Sequence, residues 1–117
     1  MTTKHDSGKD RWDLLPLRAV REVVRVLTFG SRKYAEWNWV TVPNARERYK
    51  AALDRHVAAW WCDGERLDPE SELHHLAHAA CDVLFLLALE VGDTRGGYAS
   101  APTGQPWECP RCGPDCG

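Results

Sequence analysis

The sequence predicts an all-α fold, a small helical bundle that assembles as an oligomer. Three observations carry that prediction. Two stretches, Leu17 to Phe29 and Asn44 to Trp61, carry apolar residues at three- and four-residue steps, and a third opens at Asp68-Pro69-Glu70 with the pattern of a helix start. No segment alternates as a strand would. The run Val83 to Leu89 is apolar on every side, more than one small domain can cover, so subunit packing is expected.

Taken in order, Lys4 to Asp13 is a polar arm with a central Gly8 and no period. Pro16 suits a helix start, and Leu17, Val20, Val23, Val24 and Leu27 fall on one face of a first helix that should end near Gly30. Its β-branched valines make it depend on tertiary packing. Ser31 to Pro43 mixes cations and aromatics without period and reads as a structured loop. Asn44 is placed to cap a second helix with Tyr49, Leu53, His56, Val57 and Trp60 inward. The third helix should start at about Pro69 and run to Val91, before Gly92. Residues 1–91 therefore form the folded domain. Residues 92–106, rich in Gly, Ser, Ala, Thr and Pro, read as a flexible linker, and 107–117 as a Cys-rich tail.

Composition narrows the function. At 117 residues the chain has room for one domain, and 44% hydrophobic against 27% charged residues is a globular balance, not a disordered one. A formal charge of -2 argues against nucleic acid or an anionic membrane as partner. No apolar run approaches the roughly 18 residues of a membrane span or resembles a signal peptide, so a cytoplasmic protein is expected. Reduced thiols then make Cys62 and Cys81 small buried hydrophobes. Six Trp exceed the needs of one small core and point to a stacking site or an interface.

Three constellations could carry chemistry. Glu72, His75, His78 and Asp82 stand at three- and four-residue steps, a spacing that aims an oxygen and an imidazole at one point. Glu65, Asp68 and Glu70 precede them, and His56 faces them from the second helix. Together, Glu65, Asp68, Glu70, His75, His56 and His78 could hold Mg2+ or Mn2+; singly, each also fits a solvated acid or a hydrogen-bonded core histidine. The second group is cationic and aromatic: Lys4, Lys9, Arg11 and Trp12 in the arm, then Arg32, Lys33, Tyr34, Trp37, Asn38 and Trp39 in the loop. Cations clamp phosphate and aromatic faces stack bases, which describes a nucleotide pocket, although such residues also serve as solvated charges and core caps. Neither a G-x-x-x-x-G-K loop nor G-x-G-x-x-G occurs, which excludes P-loop and Rossmann chemistry. The third is Cys109-Pro110-Arg111-Cys112-Gly113 with Cys116, a knuckle for structural Zn2+ that needs a fourth ligand from a histidine or another chain; a tail with free thiols is the alternative.

The ordered motifs KHDSGKDRWDLLP, GSRKY, NW, AALDRH, AW, GE and DPESELHHLAHA, spanning Lys4 to Glu90, resemble the phage-encoded dATP/dGTP diphosphohydrolase family, related to MazG-like all-α nucleoside triphosphate pyrophosphohydrolases. The resemblance implies a homo-oligomeric bundle, dimer or tetramer, that uses divalent metal to cleave purine deoxynucleoside triphosphates to monophosphate and pyrophosphate. It also implies Lys9, Arg11 and Lys33 on the phosphates, with Lys4, Asp6, Trp12, Tyr34, Asn38 and Trp39 holding the rest of the substrate. A non-catalytic nucleotide-binding or protein-interaction module is the alternative. Departures are visible. The MazG-like Glu-Glu-x-x-Glu motif is absent and Ala79 stands three before Asp82 where that pattern has Glu, so its metal ligands do not transfer. Glu72 stands where the closer family prefers Gly, and Asp10 where Pro is usual.

Overall fold

The structure, a computed structural model, describes residues 8–94. Lys4 and Asp6, nearly all of the linker, and Cys109, Cys112 and Cys116 of the zinc expectation lie outside the described residues. The described part is helical, as expected: α1 Leu17–Lys33, α2 Ala45–Trp61 and α3 His75–Val91, with short 3-10 turns at Trp12–Leu14 and Asn38–Thr41. Both α1 and α2 pack on α3. The described residues contain no strand beyond an isolated antiparallel bridge between Leu67 and His74. None of their helices is long and apolar enough to cross a membrane.

The core is small. Val26 of α1 meets Ala77 and Cys81 of α3, with Val23, Leu27, Leu73 and Phe85 packed around them. The short side chains of Ala77 and Cys81 let α1 approach α3 closely, and burial pushes the Cys81 thiol up to about 12, so it is an inert hydrophobe. Other expected inward residues turn out: Leu17, Val24 and Val57 are exposed, and so is Cys62 at the end of α2. The apolar stripes are wider than the surface a three-helix unit can bury, so their margins stay in solvent.

Two helix boundaries differ from expectation. Gly30 does not end α1, which continues to Lys33, where the Tyr34 amide donates to the Gly30 carbonyl at 2.9 Å. One helical glycine costs about 1 kcal/mol, too little to stop a helix whose last turn carries Arg32 and Lys33 against the carbonyl end of the dipole. The extra turn carries Lys33 to the mouth of the site described below.

The third helix starts at His75, not Pro69. Asp68 does act as a cap, its Oδ2 accepting from the amides of Glu70 at 3.1 Å and Ser71 at 2.9 Å. The turn it starts closes with Glu72 N–H on the Asp68 carbonyl at 2.7 Å and then breaks, because Glu72 adopts φ 61° and the chain folds back. Asp68 N–H then donates to Leu73 O, and His75 N–H to Arg66 O, both at 2.8 Å. His74 is the true cap, its Nδ1 accepting from the Leu76 amide at 3.0 Å. Glu72 is therefore not on the helical stripe with His75, His78 and Asp82. Its positive φ also accounts for the glycine preferred there in the closer family, since that region is open to glycine at no steric cost.

At α2 the expected start holds, but by the main chain: Asn44 sits at φ 55° and its carbonyl accepts from Arg48 at 3.0 Å, while its side chain makes no capping bond. Gly92, at φ 78°, ends α3 as its position in the sequence indicates.

Candidate functional site

A cleft of about 1090 Å³ opens between the end of α1, the turn at Asn38–Thr41, α2 and α3. Its wall includes Lys33, Tyr34, Asn38, Trp39, His56, Asp68, Glu70 and His78 from the sequence prediction. Two chemically distinct ends are joined within it.

The first end is aromatic. Trp39 stacks on Phe85 of α3, ring centroids 4.5 Å apart and planes 12° from parallel. Tyr49 of α2 tilts against the same Phe85 at 5.0 Å, and its hydroxyl donates to the Trp39 carbonyl at 2.9 Å. Trp37 leans on Trp39 from the other side at 5.7 Å. The loop needs these contacts because Trp37 holds φ 60°, a conformation costly for an aromatic residue, and buried Val40 anchors the following turn. Two of the six tryptophans, Trp37 and Trp39, thus serve to fix the loop to α3.

The second end is lined by His56, His78 and Asp68, and a chain of imidazoles runs from it to His75, which is buried behind the wall and does not line the cleft. His56 Nδ1 and His75 Nδ1 lie 2.8 Å apart, and His75 Nε2 lies 2.6 Å from Glu65 Oε1. A carboxylate at Nε2 holds the proton there and leaves the Nδ1 lone pair of His75 facing His56. His78 stacks on His56 at 4.6 Å, while its own Nε2 is 2.7 Å from Ser71 Oγ. Ser71 Oγ also accepts from the Leu73 amide at 3.1 Å and keeps a proton and a lone pair, so the tautomer of His78 sets which of the two donates to the other. Donor atoms of His56, Asp68 and His75 all lie within 4.8 Å of one another.

Electrostatics keep these groups in ligand-ready forms. Burial, with the neighbouring His78 and His75, lowers His56 to about 4, so its ring is neutral near pH 7. Burial also lowers His78, outweighing the pull of Asp68. Burial by itself would raise Asp68, but the Ser71 amide, His78 and the Glu70 amide together carry it below the ordinary carboxylate value.

Other predicted residues take different places. Glu65 stands behind His75, and Glu70 pairs with Lys33 Nζ at 2.6 Å at the cleft mouth, with the ammonium 5.1 Å from the centre of the Tyr34 ring. Arg11 forks onto Asp13 at 2.8 and 2.7 Å and, with exposed Trp12, lines a separate shallow depression. Lys9 lines neither hollow.

Arg48, Tyr49 and Arg55 of α2 also stand in the cleft wall, though the sequence did not mark them as site residues, and so does Asp82 of α3, which lay on the predicted stripe. Arg48 and Arg55 are seven residues apart, as are Tyr49 and His56, a repeat that puts each pair on one helical face. Asp82 is buried, its Oδ2 has no hydrogen-bond partner, and burial raises its carboxyl to about 7 despite nearby Arg55.

A family model described as dATP/dGTP diphosphohydrolase, N-terminal, matches residues 1–96. A dATP/dGTP diphosphohydrolase of Salmonella phage PMBT28 is 38% identical over 86 residues, which are 74% of this chain and 29% of that relative. The chain thus spans less than a third of the length of the curated relative it matches. No solved structure matches it. The family model runs from the polar arm past the end of α3 and so takes in the whole cleft: the chain belongs to the family of dATP/dGTP diphosphohydrolase N-terminal domains.

Proposed function

We propose that this chain hydrolyses purine deoxynucleoside triphosphates, dATP or dGTP, to the monophosphate and pyrophosphate, using Mg2+ or Mn2+ held by His56, His75 and Asp68. The observation that carries this reading is the single cleft that joins an aromatic end to a cluster of metal-ready donors. Family membership and the name of the phage relative support the substrate class.

The residues fit a divalent ion. The two Nδ1 atoms lie 2.8 Å apart and Asp68 offers a carboxylate oxygen in the same cluster, a set of two imidazoles and a carboxylate that would suit a divalent ion. Glu65 holds the outer proton of His75, the arrangement that orients a metal-bound imidazole. A divalent ion there supplies charge for the phosphate oxygens and lowers the pKa of a bound water. Lys33 is positioned to exchange Glu70 for a phosphate oxygen, and Arg48 and Arg55 add positive charge along the wall. Tyr34, Asn38 and Trp39 shape the nucleoside end.

A homo-oligomer, dimer or tetramer, completes the proposal. On α3, Leu76, Val83, Leu84, Leu87 and Val91 are all exposed, an apolar face that a second subunit would cover. The activity would adjust a nucleotide pool in the cytoplasm of a phage host, and Cys109, Cys112 and Cys116 would hold structural Zn2+ with a fourth ligand from elsewhere.

A second reading, a nucleotide-binding module without turnover, is favoured by one fact: the match covers only 29% of the phage relative. The test is turnover of each deoxynucleoside triphosphate with Mg2+ or Mn2+, in the wild type and in His56→Ala and His75→Ala. Metal-dependent turnover of dATP or dGTP that both variants lose supports hydrolysis; nucleotide binding with no turnover supports the module.

A further inference from the structure

We infer that Asp82 reads the edge of a guanine base, accepting hydrogen bonds from its N1–H and its N2 amino group, and so selects guanine over adenine nucleotides. The inference rests on the proposed nucleotide cleft and adds to it the residue that sets base preference. Asp82 lines the cleft on α3, three residues before Phe85 and four after His78, so it stands between the aromatic end and the imidazole end. At 8% exposure it is buried, and Oδ2, itself closed off from solvent, lacks a hydrogen-bond partner, so a base would meet both oxygens only as the carboxyl turns towards the cleft.

A buried carboxylate short of donors is unfavourable, so the partner that completes the site is one that brings donors. Burial favours the protonated carboxyl and Arg55, in the same wall, favours the anion without reaching Oδ2, so the carboxylate that a guanine edge needs is the main form above about pH 7. Guanine presents two adjacent donors on one edge, a geometry that a carboxylate accepts with both oxygens. Adenine presents one donor and one acceptor on the corresponding edge, which a carboxylate cannot satisfy and a carboxamide can.

That difference gives the test a direction. The nucleotides would be the non-hydrolysable α,β-methylene analogues of dGTP, dATP and deoxyinosine triphosphate, titrated calorimetrically into the full chain at pH 8, where Asp82 is a carboxylate, with Mn2+ present. The wild type should bind the guanine analogue about ten- to a hundred-fold more tightly than the adenine analogue, the range of a good two-point contact. The inosine analogue, which lacks the N2 amino group, should fall between them. Asp82→Asn, nearly isosteric and able to pair with either base, should lose most of the preference for guanine over adenine and the distinction between guanine and inosine. Similar wild-type affinity for guanine and adenine, or an unchanged ratio in Asp82→Asn, would overturn the inference while leaving the nucleotide cleft intact. A shifted Mn2+ requirement with that ratio unchanged would assign Asp82 to the metal and overturn it equally. No binding of any of the three analogues would overturn the proposed function, and this inference with it. The inosine comparison needs no variant and so does not depend on how Asp82→Asn folds.

Discussion

The carboxylate of Glu65 lies 2.6 Å from Nε2 of His75, and this decides which ring nitrogen His75 offers to His56. With the proton kept at Nε2, the Nδ1 lone pair is left free, and it faces Nδ1 of His56 at 2.8 Å. The proposed divalent ion would be held by these two imidazoles and Asp68. Glu65 would then act on it through His75.

Glu65→Gln should weaken Mn2+ binding about ten- to a hundred-fold, the usual effect of removing a carboxylate behind a ligating imidazole. His75→Ala should abolish it. Calorimetric titration of Mn2+ without nucleotide measures both, and equal affinity in Glu65→Gln and the wild type would remove Glu65 from the site.

Lys33→Ala should leave Mn2+ affinity and melting temperature nearly unchanged while raising KM for the nucleotide, lowering kcat, or both. Its ion pair with Glu70 joins two solvent-reached side chains and adds little to stability. The division between KM and kcat reports whether the ammonium meets phosphate equally in the ground and transition states. A loss of metal affinity would place Lys33 in the metal site's support instead.

Glu72→Gly should stabilise the fold by up to about 1 kcal/mol, because a residue with a Cβ pays roughly that much in the left-handed region. Part of the gain is offset by the extra freedom of glycine in the unfolded chain. Urea denaturation measures the difference, and a clear destabilisation would mean that the side chain makes a contact stronger than the backbone strain.

Asp82 makes stability depend on pH. Its folded value of about 7 lies above its ordinary 3.8, so the folded state holds a proton that the unfolded state has released. That contribution is fully present below about pH 4 and is lost as pH rises through about 7. His56 and His78 are shifted the opposite way for their type, down from 6.5, and cost stability as pH falls below that value. The comparison with Asp82→Asn isolates the carboxyl. The stability of Asp82→Asn relative to the wild type should rise by an amount on the order of 1–2 kcal/mol between pH 5 and pH 8. Metal-free denaturation at the two pH values tests this, and a constant difference would contradict it.

Local signals and the fold agree where the fold is local. Periodicity located the first two helices and the apolar run Val83 to Leu89 lies within the third, and Asn44 and Gly92 stand at the ends they mark. Asp68-Pro69-Glu70 misled because its local chemistry is real: Asp68 does cap a turn. What stops that turn is the pairing of Leu67 with His74, a contact seven residues apart that no short window registers. The histidine cluster was legible as residue types on two helices, and His56 does meet His75 across 19 positions. The division of labour within it was not legible, since Glu65, Asp68 and Glu70 are alike in sequence. In the structure one backs His75, one faces the donors and one holds Lys33. Asp82 fell on the predicted stripe, but only burial without a partner sets it apart.

The central claim, cleavage to monophosphate and pyrophosphate, is tested most directly by 31P NMR of the full chain with dGTP, and separately with dATP, in the presence of Mn2+. For at least one of them the triphosphate resonances should be replaced by those of the deoxynucleoside monophosphate and pyrophosphate in equal amounts, and chelating the metal should stop the change. Stepwise appearance of orthophosphate and the diphosphate, or unchanged triphosphate with both nucleotides, would contradict it.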